Sequence, residues 1–253
     1  MSLIDISRDG AVRTITLTRP QKRNALNLEM LELLYAAFSE PPAADERVVV
    51  LRAHGTVFCA GIDLAERLRI PAARGESPIE RVLDAMEHYP LPVVGIVQGD
   101  AIAGGCELAL HCDFVIAVDI VRFGMSLAQI GLAPTWFLAK KLVELAGPVI
   151  GREILLLGDP LPATAMREHG IIGRAVPADA LESEAAAVIE RLSRNAPLSL
   201  RAMKALLVRQ MAFRDGIAHD DIDDLIQAAR ESNDAKEGIA ARLEKREARF
   251  TGI

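Results

Sequence analysis

The chain has 253 residues, 51% hydrophobic and 25% charged, with a net charge of -6. That is an ordinary globular composition, long enough for one large domain or a main domain with a helical appendage. The mild negative charge argues against general nucleic-acid binding, and 4% aromatic residues leave little to stack single-stranded bases.

The N-terminus, Met1-Ser2-Leu3-Ile4-Asp5, lacks the basic region and apolar stretch of a leader. Val12–Leu17 alternates apolar and polar residues and predicts a half-buried strand, broken at Arg19-Pro20. Asn27 is placed to cap a helix over Leu28–Ser39, which Pro41-Pro42 ends. Val48–Leu51 reads as a buried strand, and Asp63 starts a helical stretch. Arg74–Pro78 reads as a surface loop before a helix through Glu87. Pro92–Val97 and Asp113–Val118 are further buried strands, the first leading into a glycine turn. Strands and helices therefore alternate to about residue 120, an α/β pattern with crossover helices. Beyond Pro134 helical segments follow one another, split at Gly147-Pro148, Gly158-Asp159-Pro160 and Pro177. No apolar run reaches transmembrane length, so no membrane association is expected. Cys59, Cys106 and Cys112 form no CxxC pair and lie among apolar neighbours. They read as buried thiols of a reducing compartment, and the expected location is cytoplasmic.

Two stretches carry chemistry: Phe58-Cys59-Ala60-Gly61-Ile62-Asp63-Leu64 and Ala103-Gly104-Gly105-Cys106-Glu107-Leu108. Each places glycine where a strand yields to a turn and then a helix, leaving backbone N–H groups unpaired. Two such turns side by side would aim one N–H each at a single oxygen, an oxyanion hole for a carbonyl that becomes an enolate or tetrahedral oxyanion. Glu107, three residues past Gly104, is within reach as an acid or base.

With Arg19-Pro20-Gln21-Lys22-Arg23-Asn24-Ala25-Leu26-Asn27, Gly151–Gly158, Glu237-Gly238-Ile239 and Glu244-Lys245-Arg246, these motifs resemble the crotonase superfamily of enoyl-CoA hydratases and isomerases over nearly the whole chain. The resemblance implies a ββα spiral core over residues 1–195 and a C-terminal helical trimerisation region over 196–253, in a homotrimer or hexamer. It implies an acyl-CoA substrate, with no separate cofactor and no metal. It assigns the oxyanion hole to the N–H groups of Ile62 and Gly104 and the acid–base role to Glu107. The coenzyme A moiety would lie along Ala60, Ile62, Asp63 and Leu64 and near Arg23 and Ala25, with Arg23 or Lys22 on its phosphates.

One position departs from the family pattern. Phe123, Gly124, Gly131 and Pro134 hold the alignment, and Leu127 stands where the second family glutamate is expected. A leucine transfers no proton. The segment after Pro134 also changes, to Thr135-Trp136-Phe137-Leu138. What survives is one carboxylate, an oxyanion hole and an apolar wall, for which Leu127 and Trp136 are acyl-pocket candidates. The expected function is thioester enolate stabilisation with Glu107 as the single acid–base group. Decarboxylation, thioester hydrolysis, hydration with a repositioned acid, and acyl-CoA binding without chemistry stay open. A replacement acid would be Glu66 or one from a loop near Arg69–Glu80. Glu66 reads first as a solvated helix face, Asp63 as a helix cap, and His111 as structural. His54 and His88 have no partner that marks them as activators.

Overall fold

The computed structural model describes residues 2–68 and 77–252. Strands β1 (Ile4–Asp9) and β2 (Val12–Leu17) form an antiparallel hairpin. Helix α1 (Leu28–Ser39) starts where predicted, with the Asn27 side chain accepting from the Met30 N–H. Three ββα units then follow. The first is β3 (Val48–Ala53), β4 (Val57–Cys59), α2 (Leu64–Arg67) and α3 (Pro78–His88). The second is β5 (Val93–Val97), β6 (Asp100–Ile102) and α4 (Gly104–Leu110). The third is β7 (Phe114–Val118), β8 (Arg122–Gly124) and α5 (Trp136–Arg152), which kinks at Gly147. The chain continues through β9 (Leu161–Pro162), α6 (Ala163–Glu168), β10 (Arg174–Val176) and α7 (Leu181–Arg194). It closes with α8 (Pro197–Met211), α9 (Asp220–Glu231) and α10 (Asn233–Glu244).

The first strand of each unit joins one sheet, ordered β1-β2-β3-β5-β7-β10, and the second joins another, ordered β4-β6-β8-β9. Pairing is parallel except for β1 with β2 and β8 with β9. The chain thus spirals between two sheets, and the second sheet delivers both glycine turns. The expected strand at Pro92–Val97 is β5, and the short strand β6 follows it before the second turn. Every residue of β5 is buried, as continuous apolar runs in parallel sheets require. Helix α7 buries Leu181, Ala185, Val188 and Leu192, a single helical stripe, and packs on β3, β5 and β7.

Pro78 belongs to α3 and not to a loop. It is the first helical residue after the Ser77 cap, where a missing N–H costs nothing. Residues 69–76, which include most of the predicted loop, lie outside the described residues. Helix α10 docks against residues 128–130 so closely that a Cβ on Gly238 would lie 2.4 Å from the Ile130 carbonyl carbon. Lys204 of α8 is buried, its Nζ 2.7 Å from Asp113 and 3.2 Å from the carbonyls of Met86 and Leu91. Among the described residues no helix is long and apolar enough to cross a membrane.

Candidate active site

The segment before α1 is stitched to the first glycine turn by backbone bonds. Leu26 N donates to Gly61 O at 2.8 Å, Asp63 N to Leu26 O at 2.9 Å and Ala60 N to Arg23 O at 3.0 Å. Asn24 anchors this segment from below. It is fully buried at a φ of 52°, donating through Nδ2 to the carbonyls of His54 and Val57 at 2.9 Å each and accepting from Arg19 N at 3.0 Å. The Arg19 guanidinium reaches Ala25 O at 2.8 Å and Asp63 Oδ2 at 2.9 Å. Arg23, Ala25, Ala60, Ile62, Asp63 and Leu64 are therefore one neighbourhood. Arg23 and Lys22 are exposed on its rim.

Asp63 caps α2, accepting from Ala65 N and Glu66 N. Burial works to raise its pKa, but the Arg19 bond and the two amides outweigh it and hold the carboxyl below its usual range. Glu66 is half-buried on α2 and has a partner. Its Oε2 accepts from Leu28 N at 3.0 Å and so satisfies an amide at the start of α1.

The two glycine turns touch. A Cβ on Gly61 would lie 2.8 Å from Ile102 O and 3.1 Å from Gly104 N, and one on Gly105 would lie 2.2 Å from Cys59 O. Only residues without a side chain allow this approach. Between the turns Ala103 takes φ 48° and ψ -121°, a strained conformation for an L residue, fixed by its N–H on Gly124 O at 2.7 Å. Among the described residues neither Ile62 N nor Gly104 N donates to a turn or loop carbonyl.

Glu107 lies one helical turn beyond Gly104 and is 7% exposed. No hydrogen bond or ion pair from the described residues reaches its carboxyl. Burial first, and the charge of Glu80 second, push its pKa up to about 8, against a smaller opposing pull from Arg230. At neutral pH it keeps its proton and can act as an acid.

Glu80 ends the Arg69–Glu80 segment from which a replacement acid is expected. It sits in the first turn of α3, 7% exposed, beside Ile79, whose Cδ1 would lie 2.8 Å from a Cβ on Gly104. Its Oε2 accepts from Ser77 N at 2.8 Å and Ser77 Oγ at 2.9 Å, and its Oε1 accepts from Thr135 Oγ1. The spacing Ser77-x-x-Glu80 is a capping-box signal visible in the sequence. Glu80, Thr135, Trp136, Phe137, Gln227 and Arg230 line a cavity of about 690 Å³. Trp136 stacks on His219 with ring centroids 4.7 Å apart. Leu127 is half-buried against the core and is not among the residues lining this cavity.

His111 is buried behind Glu107, its Nδ1 2.7 Å from Glu107 O and its ring stacked on Phe137. Burial pushes its pKa down to about 4, so it stays neutral and structural. His54 and His88 are exposed. The three cysteines are buried and free, and burial raises each thiol, Cys59 to about 12. None is a nucleophile.

Residues 7–252 match the family model described as enoyl-CoA hydratase/isomerase. The 2,3-dehydroadipyl-CoA hydratase of Escherichia coli is 30% identical over 259 residues, covering 100% of both chains. A solved methylmalonyl-CoA decarboxylase in complex with 2-nitronate-propionyl-CoA superposes with a TM-score of 0.91 at 25% identity, covering 100% of this chain and 99% of that one. An enoyl-CoA hydratase/isomerase from Pseudoalteromonas atlantica gives 0.86 at 29% identity, covering 99% of this chain and 100% of that one. These neighbours share the crotonase-like spiral of ββα units, and the match spans the core and the C-terminal helices alike. This chain belongs to the enoyl-CoA hydratase/isomerase family.

Proposed function

We propose that this protein acts on an acyl-CoA thioester by holding its carbonyl oxygen between the N–H groups of Ile62 and Gly104 and stabilising the enolate that forms there. The contact between the two glycine turns supports this reading: a Cβ on Gly61, the neighbour of Ile62, would lie 3.1 Å from Gly104 N, and among the described residues no turn or loop carbonyl accepts from Ile62 N or Gly104 N. Glu107 supplies or removes the proton at the carbon beside the thioester. A buried carboxyl that titrates near 8 suits that role, because its pKa lies close to the working pH. Coenzyme A runs past Ala60, Ile62, Asp63 and Leu64, with Arg23 near its phosphates. Trp136, in the cavity lined by Glu80 and Thr135, is assigned to the wall along the acyl chain. No separate cofactor is needed.

The exposed apolar residues Leu198, Leu206 and Leu207 of α8, with Phe213, favour burial between subunits of a homotrimer or hexamer through the region 196–253. Buried free thiols fit a cytoplasmic location.

Steady-state assays with crotonyl-CoA and longer enoyl-CoAs test the reading. Turnover should fall about 10²–10⁴-fold in Glu107→Gln while binding persists. Equal rates for wild type and variant would sink the role of Glu107. A second reading, decarboxylation, is favoured by the likeness to methylmalonyl-CoA decarboxylase. It is separated by its product, carbon dioxide in place of a hydroxyacyl-CoA. Tight acyl-CoA binding without turnover of any thioester would make the protein a binder.

A further inference from the structure

Glu80 and Glu107 are two buried carboxyl groups from different helices: Glu80 follows Ile79, whose Cδ1 would lie 2.8 Å from a Cβ on Gly104, and Glu107 lies one turn beyond Gly104. Helix α3 packs against α4, which carries Glu107. Among the described residues no ion pair includes either one. Burying a glutamate without an ion pair is costly, and two in adjacent elements, with only the more distant charge of Arg230 acting on Glu107, are harder to account for by stability than by chemistry. The bland account of Glu80 is its capping box. That account uses only Oε2, on Ser77. Oε1 is held separately by Thr135 Oγ1, the N-cap of α5, at the wall of the cavity that Trp136 lines. Two elements thus fix the plane of one carboxylate, which is the support an acid–base group requires.

We propose that Glu80 is the second acid–base group of this site, adding water to an enoyl thioester together with Glu107 and replacing the carboxylate missing at Leu127. This rests on the reading that the glycine turns hold a thioester carbonyl. In the step, the Glu80 carboxylate takes a proton from water as the water oxygen bonds to the β carbon. The carbon–carbon π electrons move to the α carbon and onto the thioester oxygen, held by Ile62 and Gly104. Glu107 then gives its proton to the α carbon, yielding a 3-hydroxyacyl thioester. One water is consumed and nothing is oxidised or reduced. The proton on Glu80 and the charge on Glu107 return to their starting places by exchange with solvent.

Glu80→Gln tests this cleanly, because glutamine serves equally in a capping box yet takes no proton. Crotonyl-CoA hydration, binding of unreactive butyryl-CoA and the melting temperature are measured together. The expected result is a loss of about 10²–10⁴ in kcat, with butyryl-CoA binding within about threefold of wild type and the melt unchanged. The fall in activity at high pH should also move to lower pH, since Glu107 loses a negative neighbour. If E80Q folds poorly, E80D and E80A are compared at equal melting temperature, and the aspartate must be at least about tenfold faster. E80Q turnover within about threefold of wild type, with E107Q inactive, overturns the role of Glu80 and leaves the thioester reading standing. Binding of butyryl-CoA without hydration of any enoyl-CoA also overturns it. Absence of butyryl-CoA binding in wild type overturns both.

Discussion

The α carbon of Gly105 faces the carbonyl of Cys59 so closely that a methyl group there would lie 2.2 Å from the oxygen. With the contacts of Gly61 on Ile102 O and Gly104 N, it sets how near the second glycine turn comes to the first. The listener on the other side is backbone, not a flexible side chain, so it has no rotamer with which to yield.

Gly105→Ala should therefore push the turns apart. The expected cost is about 1–3 kcal/mol of stability from overpacking. Activity should suffer more, about 10²-fold, because displacing two donors by about 1 Å spoils their aim. Chemical denaturation and enoyl-CoA turnover, measured on the same preparation, separate the two effects. A variant as active as wild type would show that the turns tolerate separation.

Glu107 also makes stability depend on pH. Its ordinary value is 4.5 and burial raises it to about 8 in the folded chain. Below the ordinary value both folded and unfolded forms are protonated. Between the two values the unfolded chain releases the proton and the folded chain retains it, so stability falls as pH rises through this window. Glu107→Gln removes that titration. Relative to its standing near pH 4, the variant should gain on the order of a few kcal/mol over wild type by pH 8. Melting curves across this range check the sign, and a difference independent of pH would contradict it.

Asn24 ties together the segment that carries Arg23 and Ala25. Asn24→Ala leaves the His54 carbonyl and the Arg19 amide without their partner, leaves Val57 O the longer bond from Gln98 Nε2 at 3.4 Å, and puts alanine at a positive φ. A loss of about 2–4 kcal/mol is expected in urea denaturation. Arg23 loses its mooring at the same time, so the Michaelis constant for acyl-CoA should rise.

The three thiols should be inert in the native protein. Burial raises all of them, and Cys59 and Cys106 also face the charge of Glu107. Native protein at pH 8 should take up no iodoacetamide on the timescale in which the urea-unfolded chain is fully alkylated. Rapid native labelling at Cys59 would mean that the first turn opens to solvent.

The elements readable in the sequence were those with a local cause. Val12–Leu17 alternates, Asn27 caps, and Val48–Leu51 is apolar throughout, so β2, α1 and β3 stand where expected. Strands β4, β6 and β8 are three residues each, too short to show a period, and they pair with one another and, at the edge, with β9. The partner of Glu66, the amide of Leu28, is 38 residues away and leaves no local signal. Glu80 carried a legible capping signal, yet no local pattern says that α3 lies against α4.

By itself, the sequence determined the alternation of strands and helices, the two glycine turns, the family they resemble and the absence of a proton-transfer group at Leu127. Those features depend on residue type and short-range spacing. Only the tertiary structure decided that Gly61 meets Gly104, that Glu107 is buried enough to keep its proton, and that the helix of Glu80 packs against the helix of Glu107. These are contacts between units of a spiral, made when parallel strands far apart in the chain pair, and desolvation exists only once that packing has excluded water.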